Sequence, residues 1–220
     1  MTRAVTFRPA RLADADLVAR LIYMTMGIEA DWLFGHEKRV ATLQVLAGLF
    51  LSRGNRVSYN LASLAEHDGQ DTGLLLAYPG ELLARLNWMT AWHMLRVFGP
   101  ASAIRLIRLQ SAYGDLKETE TDEFYISNLA VFPEFQGQGI GTLLMAYAED
   151  LARASGLHKC SLIVAFNHEN ACRLYEHLGY KIVHTSESRH PKVAEGSGGY
   201  HRMVKILASS TGIAQEMPGK

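Results

Sequence analysis

The chain has 220 residues, 48% of them apolar and 20% charged, and its acidic and basic side chains balance to a formal net charge of zero. That length suits one domain with a sizeable core, and the balanced charge argues against broad binding to nucleic acid or to an anionic membrane. Two cysteines, Cys160 and Cys172, are too few for a disulfide scaffold and read as free thiols.

The first residues carry Arg3, Arg8 and Arg11 without an apolar signal core, and no apolar run approaches the ~18 residues that a membrane span needs. A cytosolic protein without a targeting segment is the expectation. Ala4 to Arg8 alternates as a first strand that Pro9 ends, and Asp14 or Asp16 caps a helix running through Met26. Asp31 to Leu51 reads as helical, with Val40, Leu43, Leu46, Ala47 and Phe50 on one face. After the Gly54-Asn55 break, Val57 to Ala65 and Thr72 to Tyr78 form an antiparallel hairpin around His67–Asp71. Residues 79–122 are too many for a bare loop and read as two helices, Glu81 to Phe98 and Ala101 to Tyr113, separated at Gly99-Pro100. The first is apolar nearly all round and is expected to be buried on more than one side. Tyr125 to Val131 is a strand, Ile140 to Ala154 an amphipathic helix, and the residues from about Ala208 onward a poorly ordered tail.

Between that strand and that helix lies Gln136-Gly137-Gln138-Gly139-Ile140-Gly141. A glycine-rich turn at a helix N-terminus gathers unpaired amides and the positive end of the helix dipole, which makes an anion site. A nucleotide P-loop needs Lys and then Ser or Thr after its last glycine, whereas Gly141 is followed by Thr142-Leu143. The dinucleotide fingerprint needs glycine at its sixth position, which here is Thr142. The pattern that fits is Gln/Arg-x-x-Gly-x-Gly/Ala, carried by Gln136, Gly139 and Gly141. A second segment, NHENACRLYEHLGY from Asn167 to Tyr180, places Ala171, Leu174 and Leu178 on one helical face and Gly179 at a left-handed stop.

On these two segments the chain resembles the GNAT superfamily of acyl-CoA-dependent N-acetyltransferases, tightly over Glu123 to Val183 and loosely elsewhere. The resemblance implies an α/β (α+β) fold, with a mixed, mostly antiparallel central sheet flanked by helices on both faces. One acetyltransferase domain would span residues 1–207, residues 208–220 would be a flexible tail, and 79–122 would be a two-helix insertion before the coenzyme-binding strand. Three roles stay open for the insertion: core packing, a dimer interface, or a cap over the acceptor pocket, the last being favoured.

The same resemblance implies acetyl-CoA as co-substrate; no metal is expected, because the nine histidines show no His-x-x-x-His with Glu and the two cysteines no ligand spacing. The coenzyme's pyrophosphate would lie on Gln136, Gly137, Gln138, Gly139, Ile140 and Gly141, and its pantetheine arm along Leu129, Ala130 and Val131. An amide of Leu129 or Val131 would polarise the thioester oxygen. Tyr175 would protonate the departing thiolate, since a phenol with pKa near 10 is protonated at neutral pH. Glu123 is the candidate base, sharing a strand face with Tyr125 and Ser127, although some relatives carry the carboxylate where Tyr125 stands. The family's coenzyme-contacting Asn corresponds to His168, so Asn167 or Asn170 would take over that contact. Ile163 occupies the position of a glutamate in the ribosomal-protein N-terminal alanine acetyltransferases, which weakens a peptide substrate. The favoured reading is acetyl transfer to a small primary amine, by direct attack. A silent acyl-CoA-binding module and a protein acetyltransferase are the alternatives.

Overall fold

The computed structural model describes residues 4–27, 30–31, 39–100, 117–188 and 197–208. Seven strands form one sheet in the order β1-β2-β3-β4-β5-β7-β6. They are β1 (Thr6–Pro9), β2 (Ala62–His67), β3 (Gln70–Pro79), β4 (Phe124–Val131), β5 (Lys159–Ala165), β6 (Lys181–Glu187) and β7 (Gly199–Ile206). Every neighbouring pair is antiparallel except β4 and β5, which run parallel. The mixed, mostly antiparallel sheet expected from the sequence is therefore the one observed.

Helices cover both faces. Against one lie α1 (Ala15–Met26) and α2 (Arg39–Leu51), whose Val18, Leu21, Ile22, Leu46 and Phe50 pack on Leu64, Leu74, Leu76, Tyr78 and Tyr125. Against the other lie α4 (Ile140–Ala154) and α5 (Glu169–His177), with Leu144, Met145 and Ala148 of α4 packed on Ile126, Leu162 and Met203. The remaining helix, α3 (Leu83–Phe98), is the first half of the expected insertion. The second half, Ala101 to Tyr113, lies outside the described residues, as does the tail from residue 209.

Several boundaries differ from the sequence expectation for local reasons. Strand β1 keeps Pro9, because an edge strand has one side free of ladder bonds. The hairpin begins at Ala62, after a 3-10 turn at Tyr59–Leu61. Its loop is the two-residue Asp68-Gly69, both with positive φ (52° and 77°), the conformation that matches strand twist. Asp14 precedes α1 but its carboxylate is taken by Arg8 and by the backbone N–H of Arg11. On α2 the buried stripe is Thr42, Val45, Leu46, Leu49 and Phe50, while Val40 is exposed. Helix α3 buries only Leu86, Thr90 and Met94, four residues apart. Its opposite side shows Trp88, Trp92 and Val97 to solvent, with the two indoles stacked at 6.0 Å, so the expectation of burial on more than one side is not met.

The sheet is held at its middle by a buried ion pair. The Nη2 of Arg202, on β7, donates to both oxygens of Glu123 at 2.6 and 2.5 Å. Glu123 also accepts the Glu120 N–H (2.9 Å) and the Thr119 hydroxyl (3.1 Å), and Thr119 in turn meets Ser161 of β5 at 2.8 Å. Gly80 donates to the Glu123 carbonyl at 2.7 Å, and a Cβ at Gly80 would sit 2.0 Å from the Glu120 carbonyl oxygen. Residues 117–123 therefore form a strap pinned to β3, β5 and β7 at once. Burial would raise the Glu123 carboxyl, but the Glu120 amide and Arg202 outweigh it and hold it below the ordinary 4.5. A carboxyl held low stabilises the fold above that pH, and the contribution is lost as pH falls through its folded value. Arg202→Leu should cost about 3–5 kcal/mol at neutral pH, because it strands a buried carboxylate. In chemical denaturation followed by circular dichroism, the gap to the wild type should narrow as pH falls below 4.5.

Candidate active site

The parallel seam between β4 and β5 is short. Only Phe124, Tyr125 and Ile126 pair with Cys160, Ser161 and Leu162, yet β4 runs on to Val131 and β5 to Ala165. Beyond Ile126 the strands part. The same point carries a bulge: Leu76 of β3 faces Asn128 and Ala77 faces Ile126, leaving Ser127 extra. Since the Phe132 N–H bonds to Thr72 O on the β3 side at 2.9 Å, the two-residue alternation turns the N–H groups of Leu129 and Val131 toward the gap. A cleft of about 1380 Å³ runs through this gap, lined by Ser127–Val131 of β4 and Ile163–Ala165 of β5.

On the α4/α5 face the cleft opens onto the glycine loop. Gly137 and Gly139 take φ of 75° and 80°, and Gly139 caps α4 in the left-handed region that only glycine enters at low cost. A Cβ at either would meet no atom within 4 Å, so backbone conformation rather than space demands glycine there. The first bond of α4 is Leu143 N–H to Gly139 O, which leaves the amides of Ile140, Gly141 and Thr142 without helical partners. Gln136 ties the loop to the end of β4, its Nε2 donating to Val131 O at 2.9 Å. Gly141 lies where a Cβ would come 3.3 Å from Leu174 Cδ2, so α4 and α5 approach closely beside the loop.

Tyr175 is the one buried residue of α5 and lines the same cleft. A Schellman stop fixes it: Tyr180 N–H donates to Tyr175 O and Gly179 N–H to Glu176 O, both at 3.0 Å, with Gly179 at φ 91°. The rings of Tyr175 and Tyr180 complete the motif at 6.2 Å. Burial pushes the Tyr175 phenol up to about 12.

Of the residues singled out in the sequence, the cleft brings together Leu129, Ala130, Val131, Gln136, Gly137, Gly139, Ile140, Gly141, Asn167, Asn170 and Tyr175. Two stand apart. Gln138 is exposed and turns its side chain back to Glu134 O. Glu123, the candidate base, is enclosed in its ion pair with Arg202 and is not among the lining residues. The strand alternation that placed it beside Tyr125 and Ser127 gave no hint of an arginine arriving from β7. Glu118, five residues earlier in the strap, does line the cleft, as does Glu169 at the start of α5.

Glu118 sits on the α1/α2 face with Arg56 and Tyr125. It accepts Arg56 Nη1 (2.8 Å), Arg56 Nη2 (2.5 Å) and the Tyr125 hydroxyl (2.6 Å). Burial would raise the Glu118 carboxyl, but Arg56 and the Tyr125 hydroxyl outweigh it and hold it below the usual range. Burial and the Glu118 charge together push the Tyr125 phenol well up. Nearby, Asn128 Nδ2 donates to Thr25 Oγ1 at 2.7 Å, joining β4 to the end of α1. Sequence reasoning missed Arg56 and Glu118. Four acidic residues, Glu118, Glu120, Asp122 and Glu123, precede β4, and nothing in their spacing tells the inward pair from Glu120 and Asp122, which meet Lys117 and Lys159 at the surface.

The chain's match to known proteins agrees with this geometry. Residues 56–180, more than half of the chain, match the model of the acetyltransferase (GNAT) family. The chain belongs to that family. No curated protein matches the sequence. Among solved structures it is similar to an N-acetyltransferase from Staphylococcus aureus Mu50 (24% identity, 91% of this chain and all of that one, TM-score 0.68). It is also similar to another protein described as an acetyltransferase (22%, 92% and 100%, 0.65). A third is a polyamine N-acetyltransferase of Drosophila melanogaster that forms N-acetylagmatine (15%, 93% and 100%, 0.57). The protein is thus an acetyltransferase by family, with the family's fold. Among the described residues no group of three or more His, Cys, Asp or Glu is arranged to hold a metal, and no helix is long and apolar enough to cross a membrane.

Gly179→Ala tests the stop that fixes Tyr175. Its φ of 91° suits glycine alone, and the new Cβ would meet only Lys205 Cε at 3.9 Å, so the cost is conformational. A loss of about 1–2 kcal/mol in denaturant unfolding is expected.

Proposed function

We propose that the protein transfers an acetyl group from acetyl-CoA to a small primary amine by direct attack within a ternary complex. One observation carries this reading: the cleft passes through the β4/β5 gap, with the amide cradle and Tyr175 on one face of the sheet and Glu118 with Arg56 on the other. Two substrates can therefore meet from opposite sides without either leaving.

The groups present fit acetyl-CoA. The free amides of Ile140, Gly141 and Thr142, with those of Gly137, Gln138 and Gly139, are suited to a diphosphate. The outward N–H groups of Leu129 and Val131 are suited to the amide-rich pantetheine arm, and one of them to the thioester oxygen. Asn167 and Asn170 line the same half. Gln136 contributes by holding the loop to β4, and Gln138 by its backbone.

In the reaction the amine lone pair forms the new C–N bond and the C–S bond breaks. Tyr175 gives its proton to the sulfur and is reprotonated from solvent, while the nitrogen's proton leaves to solvent, so amine and acetyl-CoA become amide and coenzyme thiol. A phenol raised to about 12 is protonated throughout the physiological range, as a proton donor must be. Glu123 has no part in this scheme. The acceptor half is lined by Ile22, Met26, Leu46 and Val57, which suits a small amine better than a protein chain. The polyamine substrate class of the Drosophila relative fits the same preference for small amines. Two unbonded cysteines fit a reducing compartment such as the cytoplasm.

Thiol release with a panel of primary amines, alongside calorimetry with acetyl-CoA, tests the reading. Tyr175→Phe should lower kcat by about 10²–10³-fold while leaving the Kd for acetyl-CoA unchanged. Gly139→Val should weaken acetyl-CoA binding instead. No alkaline fall in kcat assignable to Tyr175 should appear until pH nears about 12. Tight coenzyme binding with no turnover of any amine would sink the proposal.

A further inference from the structure

Glu118 has a chemistry that the acyl-transfer scheme leaves unused. A carboxylate offers about four lone-pair sites. Arg56 Nη1 takes one on Oε1, and Arg56 Nη2 and the Tyr125 hydroxyl take two on Oε2. Among the described residues no further donor reaches Glu118, so one site on Oε1 remains, on a side chain that is 23% exposed and lines the cleft. The strap described above fixes its position. From the other side, Arg56 is held by Asn87 Oδ1 at 3.1 Å, and its own backbone N–H donates to Thr90 Oγ1 at 3.0 Å.

Charge and basicity narrow what can bind there. Arg56 and Glu118 cancel, so the pair adds little attraction for a polycation, and the walls beyond it are the apolar Ile22, Met26, Leu46 and Val57. A carboxylate kept ionised by a guanidinium accepts hydrogen bonds well and protons poorly.

Building on the N-acetyltransferase reading, we propose that Glu118 binds the acceptor: the open lone pair of Oε1 accepts an N–H from a neutral primary amine with an apolar body, orienting the nitrogen without taking its proton. The insertion is then part of the acceptor site, since Asn87, Thr90 and Glu118 all belong to residues 79–122.

The test is steady-state kinetics with acetyl-CoA and 2-phenylethylamine or hexylamine, with acetyl-CoA calorimetry as the check on folding. Glu118→Gln keeps an acceptor oxygen but cannot act as a base, so kcat should stay within about threefold. Glu118→Ala should raise the amine KM about tenfold, the worth of one hydrogen bond to a charged group, with the Kd for acetyl-CoA unchanged. A hundredfold loss of kcat in Glu118→Gln at constant amine KM would make Glu118 a base and overturn the inference, as would an unchanged amine KM in Glu118→Ala. Should either variant fail to bind acetyl-CoA, the wild type decides. The donor 2-phenylethanol should compete with the amine about tenfold more strongly than its methyl ether, and equal competition refutes the inference. Turnover of polyamines alone would refute the apolar acceptor. A wild type that binds acetyl-CoA yet acetylates no amine would instead overturn the N-acetyltransferase reading itself.

Discussion

The parting of β4 from β5 is the constraint on which the rest of the molecule depends. A strand buried in a sheet must pair its backbone groups, and leaving them unpaired costs as much as losing a hydrogen bond. Here three residue pairs hold two antiparallel blocks together, and past Ile126 the two strands leave their facing edges open. The Ser127 bulge sets the point of departure by shifting the β3–β4 register just where the seam ends. The glycine loop and Tyr175 both line the resulting gap, so the open edges and the unpaired loop amides form one continuous polar track.

A gap in the middle of a sheet needs compensation at the seam. The Arg202–Glu123 pair supplies it, with one partner on β7 and the other at the head of β4, and the Thr119–Ser161 contact adds β5. Buried ion pairs are poor sources of net stability but strong specifiers of arrangement, because either charge alone is so unfavourable. The same strap carries Glu118 on its other side. Structural support and the proposed acceptor contact are thus separated by a few residues of one segment, Glu123 locked inside and Glu118 lining the cleft.

How far this was legible in the sequence follows from the range of each interaction. The loop from Gln136 to Gly141 and the turn at Gly179 are local: glycine spacing and helical periodicity carry them, and the structure has the left-handed conformations where the pattern put them. The central sheet and the helices on both faces were legible through the family resemblance that these two segments carry. Glu118, Arg56 and Arg202 were not, because their partners lie 62 to 79 residues away and no periodicity links them. Glu123 illustrates the difficulty: strand alternation gives the direction of a side chain but not what waits there. Helix α3 misled for another reason, since apolar residues on nearly every side signal burial, yet Trp88, Trp92 and Val97 stand exposed.

That bare surface has an optical consequence. Two of the chain's three tryptophans, Trp88 and Trp92, stand stacked and solvent-facing on α3, and Arg96 lies over the Trp92 ring at 5.8 Å. On the reverse of the same helix are Asn87 and Thr90, which grip Arg56. The emission of these two indoles therefore reports on α3 and not on the glycine loop, which contains no tryptophan. Quenching of Trp88 and Trp92 by small solutes reports on the exposed side of α3.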